Sequence, residues 1–192
     1  MNDFTIYFEE GWRHIISKDA LDHQLFIIAL AAIYLVHDWK KVIVLVTAFT
    51  IGHSLTLALS AFDVIRVNSN WVEFLIPLTI VITALQNFFK TDGHYGRYRM
   101  QYWLALFFGL IHGLGFANTI RFMLAGDQNI ALPLFSFNVG LEVGQLFVVA
   151  LVLLLSYFVV NTLKLRRKWW VWGLSAIALA VSAYICISRW PF

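Results

Sequence analysis

KVIVLVTAFTIGHSLTLALSAF, residues 41 to 62, carries one basic residue at its start, none after it, and a histidine, His53, near its middle. A helix rises about 1.5 Å per residue, so a run of this length covers the roughly 30 Å of a bilayer's hydrocarbon core. The stretch reads as a membrane span, and the rest of the chain agrees. Of 192 residues, 60% are hydrophobic and 13% charged, whereas soluble domains are about a quarter charged.

Working outward from that span, the same hydropathy criterion marks about six segments, near 21–37, 41–62, 71–89, 101–124, 131–162 and 169–188. The fold class expected is all-α: a polytopic bundle of about six transmembrane helices forming one integral-membrane domain over residues 1–192. The fifth run exceeds one perpendicular crossing and must tilt or protrude. Residues 1–20 lack a basic start followed by an apolar core and so do not read as a secretory signal. They read as a short interfacial helix, with Phe4, Phe8, Trp12 and Ile15 near one face and Glu9, Glu10 and Arg13 toward headgroups. The lone Cys186 excludes a disulfide within the chain.

The net charge of +3 does not point to nucleic acid, because the basic residues sit in short connections between spans. Lys40, Lys41, Lys90, Arg97, Arg99, Lys164, Arg166, Arg167 and Lys168 fall on one side; Arg13, Lys18, Arg66, Arg121 and Arg189 fall on the other. With positive loops inside, both termini face outward, which in a double-membraned bacterium is the periplasmic side of the inner membrane. His37 and His94 then belong to the cytoplasmic connections.

Ionisable groups inside spans ask for a partner or a purpose. His53 and His112 lie near the middles of spans two and four, while Asn138, Glu142 and Gln145, spaced i, i+4 and i+7, share one face of span five. Asp22 and His23 open span one, and Glu73 opens span three, all toward the outer side. Histidines with carboxylates are the donor set of zinc, nickel or cobalt. Ser54 and Thr50 flank His53 and are placed to orient its ring. His14 joins such a site only if the chain turns between Ser17 and Asp19, since nine residues along a straight helix put His14 and His23 about 180° apart. Other readings stand beside this one. His53 or His112 can be hydrogen-bonded packing residues, Asp22 and Glu73 can cap helix N-termini, and Glu142 can be a protonated carboxyl bonded to a neighbouring helix. Toward the inner side the polar residues are few: Thr47, Thr83, Gln86, Asn87 and Gln101.

Four segments taken in order, G11-W-R-H-I-I-S-K-D-A-L-D-H-Q-L-F26, A48-F-T-I-G-H-S-L-T-L57, G109-L-I-H-G-L-G-F-A117 and F137-N-V-G-L-E-V-G-Q-L146, resemble the HupE/UreJ family of bacterial membrane proteins. The resemblance runs from about Gly11 to Phe147. It implies a hydrogenase or urease accessory role and nickel or cobalt uptake, with His14, Asp22, His23, His53, His112 and Glu142 matching the family's metal-binding motifs.

The leading expectation is therefore a permease for a divalent transition metal (nickel, cobalt or zinc) with an outward-facing site between helices. Asn87 is placed on its inner path, and Ser54, Glu73, Asn138 and Gln145 support the site or line the route. An intramembrane metal-dependent hydrolase of a lipid or amphipathic substrate needs the same ligands plus an open coordination position. A non-transporting accessory protein, acting with metalloenzyme-maturation partners or as a homo-oligomer, needs only binding. No P-loop is present, so this chain shows no site for direct drive by ATP.

Overall fold

The computed structural model describes residues 3–89, 98–124 and 130–192; Lys90, His94 and Arg97 lie outside them. The described chain is helical in eight main stretches: α1 (Asp3–Ile16), α2 (Leu21–Ala31), α3 (Trp39–Ala61), α4 (Ser69–Phe88), α5 (Tyr98–Gly115), α6 (Ala117–Leu124), α7 (Ala131–Tyr157) and α8 (Arg167–Ser188). Among the described residues four helices are long and apolar enough to cross a membrane, namely Val36–Ala61, Ser69–Phe88, Ala131–Thr162 and Arg167–Ser188. The bent pair Met100–Gly115 and Ala117–Met123, turning by 54°, makes a fifth if counted as one span. The molecule is an all-α membrane bundle.

Three segments differ from the expectation. The span expected at 21–37 is an 11-residue helix, α2, about 16 Å long and too short to cross alone. The span expected at 101–124 breaks after Gly115, where a side chain would press on Ile76 Cδ1. The apolar face of α1, expected to rest among headgroups, meets α7 instead. The Trp12 ring packs at a tilt against Phe147, 5.4 Å between centroids, Ile15 fits against Gly144, and Ser136 Oγ donates to the Phe4 carbonyl.

Helix directions follow from the pairings. Phe8 meets Gly140 and Ile15 meets Gly144, so α1 runs parallel to α7 along its first half. A methyl added at Gly140 would lie 2.1 Å from the Phe8 carbonyl oxygen, a backbone approach that only glycine permits. α3 and α5 are parallel by the same device, with Gly109 set so that a methyl would lie 2.1 Å from Phe49 O. α8 is antiparallel to α2 and α4, since Asp22 meets Arg189, Arg167 donates to Ile33 O, Phe74 meets Trp190 and Phe88 meets Trp172. Both termini thus lie at one end of the bundle, beside the starts of α4 and α7. The opposite, basic end carries Lys40 and Lys168, which sit over the rings of Trp39 and Trp172 at 5.5 and 4.3 Å. Tryptophans at both ends suit the two membrane interfaces. At the termini end Arg66 hydrogen-bonds Asp63 and holds its carboxyl below the usual carboxylate range.

Candidate metal centre

α1, α2 and α3 each deliver one imidazole to a common point. α1 stops at Ile16, and Ser17 is extended (φ −68°, ψ 161°) before a 3-10 turn at Lys18–Ala20 starts α2. Gln24 Nε2 donates to the carbonyls of Ile15 and Ser17 at 3.0 and 2.9 Å, and the Ser17 carbonyl also accepts from Ala20 N at 3.1 Å, so these bonds hold the turn in place. That turn undoes the 180° separation of a straight helix. The His14 and His23 rings lie 4.7 Å apart, and His53 lies 6.0 and 5.7 Å from them.

One nitrogen from each of the three rings lies within 4.8 Å of the others. Two imidazoles on a tetrahedral ion, with nitrogens about 2.05 Å from it, sit about 3.3 Å apart, which small side-chain rotations reach from here. The bonding state of these nitrogens is as telling as their spacing. His14 Nε2, His23 Nε2, both nitrogens of His53, and His112 Nδ1 are buried with no hydrogen-bond partner among the described residues. A packing histidine is expected to be hydrogen-bonded, because each unsatisfied buried group costs about 1–3 kcal/mol. A set of neutral nitrogen donors held together and unbonded fits a divalent transition metal.

His112 adjoins the trio. Its ring is 5.1 Å from His23, and its Nε2 is 3.0 Å from Thr79 Oγ1, a contact that leaves Nδ1 as its ligand atom. Above, a cavity of about 370 Å³ is lined by His14, His23 and His112 together with Ser17, Asp19, Asp22 and Glu73. Three carboxylates in one mouth attract cations, while Arg189, 3.0 Å from Asp22 Oδ2, neutralises one of them and leaves Oδ1 without a partner among the described residues. Asp22 therefore pairs with α8, and α2 has no side-chain cap. Phe116, at the break after α5, lies 4.2 Å from the His14 ring and stacks on Phe137, covering the site from the side. Below, Phe26 and Phe49 stack at 4.8 Å and each touches His112 at 5.1 Å; with Phe108 they form an aromatic floor.

The remaining expected residues lie elsewhere. Glu142 accepts a hydrogen bond from Thr47 at 2.7 Å and, with Ser54 and Asn138, lines a separate groove of about 600 Å³ between α3 and α7. Thr50 Oγ1 lies within hydrogen-bond distance of Val46 O and of the Gln145 side-chain amide, at 3.1 and 2.9 Å, and neither nitrogen of His53 has a hydrogen-bond partner among the described residues, so neither Thr50 nor Ser54 orients that ring. Asn87 donates to Ala29 O and Ser175 Oγ near the basic end. Sequence reasoning missed Thr79, Phe116 and Phe137. Thr79 was within reach, because Thr79, Thr83 and Asn87 repeat every four residues along α4.

The fold and site define a class, multi-pass membrane bundles that hold a buried histidine cluster beneath an acidic mouth. The chain belongs to the HupE/UreJ family: the family described as HupE / UreJ protein matches residues 1–189, essentially its whole length. That family is membrane-bound and associated with nickel or cobalt handling for hydrogenase and urease. Neither a curated protein nor a solved structure matches the chain.

Proposed function

We propose that this protein captures a divalent transition-metal ion of the nickel or cobalt type at His14, His23 and His53, with His112 beside them, and passes it across the bacterial inner membrane. The metal is cargo. One observation carries the reading: three imidazoles from three separate stretches of chain, two buried and that of His14 half-buried, converge, each with a buried nitrogen that has no hydrogen-bond partner among the described residues. The carboxylates of Asp19, Asp22 and Glu73 raise the local cation concentration at the mouth, and the imidazoles exchange water ligands for nitrogen. Both termini and the acidic mouth face outward, because the opposite end carries the basic residues.

The aromatic floor favours a second reading, in which the ion stays and activates water against an amphipathic substrate. Metal analysis and flux separate the two. Purified protein should hold about one equivalent of nickel, lose it on His23→Ala, and move nickel into liposomes. Retention of nickel without flux under any ion gradient would replace the permease with the metalloenzyme. Absence of bound nickel, cobalt or zinc would end both. In a Cys186→Ser background, an impermeant thiol reagent outside the cell should label Phe192→Cys and spare Lys164→Cys; the reverse pattern would turn the mouth toward the cytoplasm.

A further inference from the structure

Between the aromatic floor and the basic end lies a second cavity, of about 30 Å³, mainly apolar in its wall but with a polar side, and large enough for one or two water-sized occupants. Its wall includes Tyr34, Thr83, Asn87 and Gln101, each at most 8% exposed. Buried polarity at this depth is expensive unless it is satisfied or used. Tyr34 Oη donates to Gln101 Oε1 at 2.5 Å, which leaves the Gln101 amide nitrogen buried with no partner among the described residues. Amide oxygen and nitrogen exchange places by a simple flip, so either Gln101 atom can face the cavity. Asn87 spends its amide group on Ala29 O and Ser175 Oγ, and its carbonyl oxygen is the atom that can serve a cation.

The floor does not seal this cavity from the histidines on every side. Phe26, Phe49 and Phe108 come from α2, α3 and α5. The wall supplied by α4 is polar, because Thr79, Thr83 and Asn87, spaced i, i+4 and i+8, share one helix face. Thr79 Oγ1 contacts His112 Nε2 at 3.0 Å, and Thr83 Oγ1 donates to the Thr79 carbonyl at 2.8 Å. All three side chains are buried. A polar stripe therefore runs past the floor from the histidine cluster to the second cavity.

We propose that the cavity at Tyr34, Thr83, Asn87 and Gln101 is a second cation site, built from hydroxyl and amide oxygens, that receives the divalent ion from the histidines along the α4 stripe. It rests on the transport reading given above. The donor chemistry supports the direction of transfer. Neutral oxygens hold nickel, cobalt or zinc more weakly than imidazole does, and conduction needs sites weak enough to leave as well as strong enough to enter. An oxygen-lined site beyond a nitrogen-lined one supplies that gradation.

The test uses the full-length protein and nickel(II), with binding read by equilibrium dialysis and elemental analysis, and flux read in liposomes. Thr83→Val removes the hydroxyl without changing the volume. It should keep one bound nickel per chain while flux falls at least tenfold, and Thr83→Ser should restore flux. Gln101→Glu puts an anion in the cavity without new bulk and should raise bound nickel from about one equivalent to about two. Wild-type flux in Thr83→Val, or a single equivalent in folded Gln101→Glu, overturns the second site. A protein that binds one nickel at the histidines but moves none also overturns it while leaving capture standing. A protein that binds none overturns capture first.

Discussion

Replacing His53 by leucine should stabilise the metal-free protein and abolish its response to metal. The His53 ring is fully buried, and neither nitrogen has a hydrogen-bond partner among the described residues. At about 1–3 kcal/mol for each unsatisfied group, relieving both is worth at least about 2 kcal/mol, and leucine adds apolar contact with Phe49, whose ring lies 6.1 Å from that of His53. For a chain of this size each kcal/mol shifts the melting temperature by about 2–4 °C, so His53→Leu should melt about 4–8 °C higher after exhaustive chelation. Nickel at a hundred times its dissociation constant should stabilise the parent by about 2.7 kcal/mol, or roughly 5–11 °C, and the variant by nothing. Thermal unfolding in detergent, followed by tryptophan fluorescence, reads both numbers. A packing histidine predicts the opposite sign. If metal-free His53→Leu melts several degrees lower, or keeps the full nickel shift, His53 is no ligand and the reasoning from unbonded nitrogens fails.

Glu142→Gln should leave nickel stoichiometry and affinity unchanged, since Glu142 bonds Thr47 in a groove apart from the histidines; a dialysis isotherm shifted more than about threefold would place it in the site after all. Imidazole binds metal only when neutral, and burial without a partner disfavours the charged imidazolium, so occupancy at fixed free nickel should hold from pH 7 down to about 5 and be lost only in stronger acid; half-loss near pH 6.5, the value of an exposed imidazole, would mean that the ligands are not these rings. Gly140→Ala puts a methyl 2.1 Å from Phe8 O, and ordinary contact needs about 3.4 Å or more, so α1 must retreat by over 1 Å and carry His14 with it. Calorimetric titration should show nickel binding at least tenfold weaker, and unchanged affinity would mean that His14 contributes nothing.

Lipid residence was legible from a single window, because the apolar runs around His53 and in α7 and α8 are long enough to decide the solvent without knowledge of packing. The place of His53 within α3 followed from counting residues, whereas His112, expected near the middle of a span, falls in the last turn of α5. Convergence of His14 was legible only as a condition: the turn at Ser17 depends on Gln24 reaching back to carbonyls of the previous helix, a contact that periodicity does not encode. The break after Gly115 was hidden for a similar reason, since the space that a side chain at residue 115 would need is filled by Ile76 Cδ1 from another helix. Glu142 shares a helix face with Asn138 and Gln145, as its spacing indicates, but that face meets Thr47 and Thr50 of α3, a pairing that periodicity does not encode. The inner-side residues looked sparse because they were counted one at a time, whereas the packing of α2, α4 and α5 gathers four of them, Thr83, Gln86, Asn87 and Gln101, around one cavity.

The pairing of α1 with α7 also sets an order of events during synthesis. Ser136 and its partner Phe4 are 132 residues apart, so at 5–20 residues per second the ribosome needs roughly 7–26 s to make the second after the first. Through that interval α1 has no glycine-notched surface to lie on, and only the Gln24 contacts to Ile15 O and Ser17 O tie His14 to α2. The α1 helix that carries His14 therefore gains its packing surface only once the chain has emerged past Gly144.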